Sequence, residues 1–270
     1  MIYSLPHIES LPGLKVFISD IYYFESQDES NNIIANNVEP NGKLKLIFPI
    51  ENGITIRCNN KTFHLKQNQI ALAGIFDTTF RVDSSANRLT KAIIIEFISS
   101  GAYRFFSINH IELSNRFYPL YDLAGSSIIE IETQIQEEPI LEKKIFLLQK
   151  YLLSIFIKTE SDFIFDYCIE KISNNKGIIS IRELERLTGY SSRWLNKKFE
   201  YKLGINPKTF ASIIRFHTVL KSLAFNLDDN TIYKMYYQYY FDQPHFIKEF
   251  KRFSGYTPNK FLKKILHPIG

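Results

Sequence analysis

An α+β protein of two domains is the fold class that this sequence predicts, with a β-rich front half and an all-helical back half. Three observations predict it. Short apolar runs with partial alternation recur between Lys43 and Phe97, at the spacing of roughly ten residues expected of a small barrel or sandwich. From Ser126 onward, apolar positions recur at three- and four-residue steps, the period of helices. The charge also divides: 16 Lys/Arg and 7 Asp/Glu follow from Gly177, against 17 and 21 before it, so +9 succeeds −4. That asymmetry is expected where only one domain meets a polyanion.

The 270 residues suffice for two domains, each with its own core. With 45% hydrophobic and 15% aromatic residues the chain is globular. Two cysteines, Cys58 and Cys168, provide neither a disulfide framework nor zinc-ligand spacing, which suits a reducing cytoplasm. Met1 to Leu14 lacks the apolar run of a signal peptide, and no apolar run approaches the length of a membrane span.

In order, Val16–Phe24 reads as a strand and the polar stretch Gln27–Asn32 as a loop. Strands are expected at Leu44–Phe48, Ile54–Cys58, Thr62–Leu65, Ile70–Gly74, Thr79–Val82 and Ala92–Phe97. A metal-dependent enzyme on such a barrel needs several convergent ligands. The β region offers His64 alone, and no nucleophile elbow, phosphate-binding loop or zinc-binding helix is present. Catalysis, a metal and a cofactor are therefore not expected. Helices follow at Ile128–Gln136, from Leu141 through Ile155, and at Ser161–Ser173. The stripe Leu141, Ile145, Leu148, Leu152, Ile155 suits either pairing with a second copy or covering the barrel. Covering is favoured, because two or three heptads specify a coiled coil poorly. Asn174–Gly177 reads as the junction.

The back half opens with Ser180 and Glu183 as a capping box, and Leu184 and Leu187 facing inward. Gly189 turns the chain, and Ser191 caps a second helix, Ser192–Lys202. Helix, glycine turn and basic helix make a helix-turn-helix. A largely apolar helix follows from Lys208 to about Ala224. A second recognition helix starts at the N-cap Asp242 with Pro244 in its first turn, and ends at Gly255 before Pro258. Phe246, Phe250 and Phe253 form its apolar stripe. Its other face carries Gln243, Ile247, Lys248, Lys251 and Arg252, with Glu249 the one acid inside the helix.

Asp242-Gln243, His245-Phe246, Phe250-Lys251, Gly255 and Thr257-Pro258 resemble the signature of the AraC/XylS family of bacterial transcription regulators. Leu184, Leu187, Gly189-Tyr190-Ser191, Leu195, Phe199, Gly204 and Pro207 resemble the first of that family's two helix-turn-helix units. The resemblance implies an N-terminal cupin-like barrel over 1–125, a helical extension over 126–176 and a DNA-binding domain over 177–270. Gly101–Phe106, Glu112-Leu113 and Pro119–Gly125 resemble the end of one sensor type in that family.

Implied base-reading residues are Arg193, Asn196 and Lys197 in the first unit and Gln243 and Lys248 in the second. Arg suits guanine, and Asn or Gln suits adenine. Phosphate contacts fall to Ser191, Lys198, Arg215, Lys251 and Arg252. Arg215 suits a structural ion pair equally, and Trp194 suits core packing more than a thymine methyl. Implied partners are double-stranded DNA, a small-molecule effector, a second copy of the chain and, for an activator, RNA polymerase.

One departure stands out. The second unit should open near Thr231, with alanine and glycine where Met235 and Tyr239, or one residue on, Tyr236 and Tyr240, stand. Such bulk at a helix crossing costs roughly 1–3 kcal/mol, and Val219 also replaces a common alanine. An alternative reading follows: an anti-regulator that binds a protein partner through a degenerate second unit. A sugar-binding cupin enzyme with a DNA-binding appendage is opposed by the missing metal ligands.

Overall fold

The computed structural model describes residues 2–4, 8–26, 37–83, 89–106, 108–157, 161–225 and 236–266. The loop expected at Gln27–Asn32, and the helix start expected at Thr231 with Met235, lie outside them. Strands β1 (Ile2–Ser4), β2 (Ile18–Ser26), β4 (Lys45–Glu51), β7 (Ala71–Ala73), β9 (Thr90–Phe97) and β10 (Phe117–Pro119) form one sheet. Its order is β1-β2-β9-β4-β7-β10. A second sheet, ordered β3-β8-β5-β6, holds β3 (Asn37–Val38), β5 (Ile54–Cys58), β6 (Lys61–Leu65) and β8 (Phe80–Asp83).

The central strands β4, β7 and β9 of the first sheet are buried on both faces, which is why alternation in them is only partial. Leu46, Phe48, Ile93, Ile95 and Phe97 point toward the helices. Ile47, Ala92 and Phe117 point instead toward Ile54, Ile56 and Leu65 of the second sheet. The antiparallel register sets Phe48 opposite Ile93 and Lys45 opposite Glu96. The strands not expected, β1, β3 and β10, are two or three residues long and lie at sheet edges. Pairing decides such strands, because their composition carries no pattern.

Helices α1 (Tyr121–Ala124), α2 (Ser127–Glu137), α3 (Leu141–Ile155) and α4 (Phe163–Asn174) follow the two sheets. On α3, Ile145, Leu148 and Leu152 are fully buried. The Gln149 carboxamide oxygen accepts from Leu11 N–H at 2.7 Å. The Lys144 ammonium donates to the carbonyls of Ile135 and Gln136 at the end of α2, where a cation suits the helix dipole. The middle of the α3 stripe is thus buried within the chain, while Leu141 and Ile155 at its ends are partly exposed.

The back half contains α5 (Ile181–Thr188), α6 (Ser192–Leu203), α7 (Pro207–Phe225), α8 (236–239), α9 (Gln243–Ser254) and α10 (Pro258–Leu266). Among the described residues, no helix is long and apolar enough to cross a membrane. One apolar cluster runs without interruption from the first sheet through α2–α4 to Phe199, Phe210, Phe216 and Phe250.

Gly177 joins α4 to the back half at φ 74°, where side chains are disfavoured. A Cβ here would sit 2.1 Å from the Ala211 carbonyl oxygen of α7. Gly177→Ala should therefore lower unfolding stability by about 1–3 kcal/mol, read from urea denaturation of the full chain. An unchanged midpoint would show that the junction does not constrain α7.

Candidate nucleic-acid interface and barrel cavity

In the first unit, Ser180 caps α5 by accepting from Glu183 N–H at 3.1 Å. Gly189, at φ 74°, turns the chain. Ser191 then caps α6, its hydroxyl accepting from Trp194 N–H at 3.3 Å. Leu184, Leu195 and Phe199 are buried and fix the crossing of the two helices. This leaves Arg193 and Lys197 exposed and Asn196 half-exposed, with no side-chain partner among the described residues. Trp194 stacks on Tyr190 with centroids 4.1 Å apart, at the edge of the core.

Lys198 takes a role other than the expected phosphate contact. Its ammonium pairs with Asp162, the N-cap of α4, at 2.7 Å. Lys202 reaches the same carboxylate at 3.3 Å and lies 3.8 Å from the Tyr103 ring centroid. Burial alone would raise the Asp162 carboxyl. The Lys198 and Phe165 N–H hydrogen bonds, with Lys202 nearby, hold it below its ordinary value. The C-terminal half of α6 is thereby tied to the front half, while Arg193 and Lys197 face away.

In the second unit, Asp242 caps α9 by accepting from His245 N–H at 2.7 Å. Gly255 closes the helix at φ 80°. Phe246, Phe250 and Phe253 are buried, and Gln243, Lys248 and Lys251 are exposed without side-chain partners among the described residues. The tyrosines that were expected to overpack the crossing fit. Tyr240 lies 4.9 Å from the Phe246 ring, and the Arg215 guanidinium sits 4.8 Å over the Tyr240 ring. No residue of the turn before α9 adopts positive φ, so it does not require glycine. The surplus bulk points outward: Tyr237 is 77% and Phe241 98% exposed.

Two further cations depart from their expected phosphate role. Arg215 on α7 is only 14% exposed. Its guanidinium donates to both Glu249 carboxylate oxygens (2.8 and 3.0 Å), to the Gly177 carbonyl (3.1 Å) and to Ser212 Oγ (3.3 Å). Its donors are committed inside the domain, so it is a structural ion pair. Arg252, at the C-terminal end of α9, donates to the Asp77 carbonyl at 2.9 Å and pairs with the Asp77 carboxylate. Thr78 Oγ1 donates to the Arg252 carbonyl at 3.1 Å. The residues that hold these cations, Asp77, Asp162 and Glu249, were not singled out as partners. Glu249 had one signal, as the lone acid in a basic helix.

A second site lies between the sheets, a cavity of about 290 Å³. Phe24, Ile47, Ile54, Ile56 and Phe117 give it an apolar body, with Asn41, Lys45 and Glu96 at a polar end. Glu96 is buried and accepts from Lys43 at 2.8 Å, Asn41 at 2.6 Å and Ser19 at 2.9 Å, with Lys45 at 3.3 Å. Burial opposes its charge, but Lys45, Lys43 and these hydrogen bonds bring its pKa down to about 2. The cluster reaches α7. His217 is lowered to about 4, chiefly by burial and then by Lys221 and Lys43.

Two measurements follow. Replacing Arg215 with Met leaves the buried Glu249 with only the His245 imidazole, 3.5 Å away, beside it, and should cost about 3–5 kcal/mol. Adding Glu249→Leu should recover much of the loss in urea unfolding, an outcome that a phosphate contact would not produce. Glu96 falls from 4.5 to about 2 on folding, so its contribution is complete above pH 4.5 and lost as pH falls toward 2. Between pH 7 and pH 3 the native chain should lose about 2 kcal/mol more stability than its Glu96→Gln variant. Parallel losses in the two chains would remove Glu96 from this role.

Comparison with known proteins places this geometry. Residues 184–264 match the family described as a helix-turn-helix domain. ToxT from Vibrio cholerae O395 is similar at 16% identity, over 92% of this chain and 97% of that one, with a TM-score of 0.46. ToxT from Vibrio cholerae strain SCE256, solved with an unsaturated fatty acid bound, is similar at 14% identity over 94% and 96%, with a TM-score of 0.47. The AraC-like transcriptional activator CuxR is similar at 14% identity over 76% and 74%, with a TM-score of 0.24. No curated protein matches the chain. With two capped helices in the matched region, the chain carries a helix-turn-helix domain over residues 184–264.

Proposed function

We propose that this protein is a sequence-specific regulator of transcription that binds double-stranded DNA through α6 and α9 and is controlled by a small molecule in its barrel. One observation carries the reading. Each recognition helix is capped, packed on its inner face and presents unpaired polar side chains outward: Arg193, Asn196 and Lys197 on α6, Gln243 and Lys248 on α9. Such donors match base edges in a major groove, and their cationic neighbours match phosphate. A regulator of this kind works in the cytoplasm.

Control is argued from the cavity and from the ion pairs. An apolar body with Lys45 at its polar end suits an apolar effector carrying one anionic group. An anion that draws Lys45 from Glu96 reshapes the surface beside His217 of α7. Lys198 and Arg252 are each held by a carboxylate of the front half or its extension. Opening those pairs would release two cations for phosphate.

A second reading, docking of a protein partner, is favoured by the exposed Tyr237 and Phe241 beside α9. Selection of random duplex DNA by the full chain at two salt concentrations separates the two. Recovery of a site with two motifs about one helical turn apart is the expected result. A single short motif would show that α9 stays docked on the front half or that its unit is impaired, and no enrichment at all would support the partner reading. Within a recovered site, Arg193→Ala should relax discrimination at one base pair by about 1–3 kcal/mol. Equal weakening on every sequence would reassign Arg193 to phosphate.

A further inference from the structure

On the outer side of the second sheet, a cleft of about 540 Å³ separates the barrel from α9. Five cations line it: Arg57 on β5, Arg81 on β8, and Lys248, Lys251 and Arg252 on α9. Two carboxylates answer them. Asp83 pairs with Arg57 at 2.7 Å and Arg81 at 2.8 Å, and Asp77 holds Arg252. Lys248 and Lys251 have no side-chain partner among the described residues, so five charges against two leave the cleft three positive. The amides of Asn37 and Asn59 add neutral donors on the barrel wall.

We infer that this cleft binds a small polyphosphate anion that bridges the barrel to α9. Like charges gathered on two facing walls repel one another, and an anion between them reverses the sign of that interaction. Guanidinium forks grip phosphate oxygens in pairs, and lysines act as point charges beside them. Cations on both walls select a ligand with charge at more than one position, as a diphosphate has. The volume falls in the range of small-molecule sites. Duplex DNA does not fit here while α9 is docked on the front half. A helix about 10–12 Å across fills a major groove about 12 Å wide, which leaves no space for a barrel against the same flank of α9. The ligand therefore holds α9 in its docked position and occupies Lys248, a residue assigned above to base reading.

Titration calorimetry of the full chain with sodium pyrophosphate, at ionic strength held constant with sodium chloride, tests this without DNA. One saturable site is expected, with orthophosphate binding more weakly. Arg57→Gln with Arg81→Gln on one wall, and Lys248→Gln with Lys251→Gln on the other, should each weaken pyrophosphate at least tenfold. Thermal unfolding midpoints near that of the parent would certify each variant, and either wall suffices should the other variant misfold. Absence of saturable heat at millimolar pyrophosphate would overturn the inference. Binding unchanged by both pairs would place the anion on another basic surface and overturn it equally. Equal affinity for orthophosphate would refute the two-walled geometry. Because the readout uses the protein alone, failure here leaves the DNA reading standing, and failure of duplex selection leaves this site standing.

Discussion

The ion pair between Arg215 and Glu249 is the contact on which the back half depends. It joins α7, the helix between the two units, to α9, and a third donor of the same guanidinium reaches the carbonyl of Gly177 between α4 and α5. Isolated burial of either charge would be costly, so the two stand or fall together. Gly177 lies against α7 where no side chain fits, and Tyr240 lies under the guanidinium. The orientation of α9 relative to α7 follows from this buried network together with the packing of Phe216 on Phe250 and Phe253.

The same chemistry recurs in weaker form where the front of the chain meets the recognition helices. Asp162 takes Lys198 and Lys202 of α6, and Asp77 takes Arg252 of α9. In each case a carboxylate occupies a cation that would otherwise suit a phosphate. The division of charge into an acidic front and a basic back therefore acts inside the molecule. Such pairs, partly exposed, are worth little individually, which makes them suited to exchange.

The barrel has a parallel logic. Central strands buried on both faces give one surface to the helices and the other to a cavity, and Glu96 stands where the two meet. Its partner Lys45 lines the cavity, and the charges of Lys43, Glu96 and Lys45 all act on His217 of α7. The polar end of the cavity therefore lies within electrostatic reach of α7, the helix between the two units.

Local chemistry was legible without the fold. Ser180, Ser191 and Asp242 cap their helices, Gly189 and Gly255 close theirs, and the strands at 54–58 and 61–65 follow their composition. Caps and turns depend on a few neighbouring residues, so a single sequence determines them, together with which faces of α6 and α9 are polar. Long-range partners were not legible. Arg215, Lys198 and Arg252 read as basic residues near a DNA surface, and only tertiary structure supplied Glu249, Asp162 and Asp77 as their acceptors. The tyrosines before α9 conflicted with the expected small-residue crossing until the fold turned Tyr237 and Phe241 outward and set Tyr240 over Arg215. The sequence by itself determined the capped helices and their charge, because those are contacts between neighbours in the chain. Which cations remain free for a ligand was decided only by the tertiary structure, because each such pairing joins residues far apart in sequence.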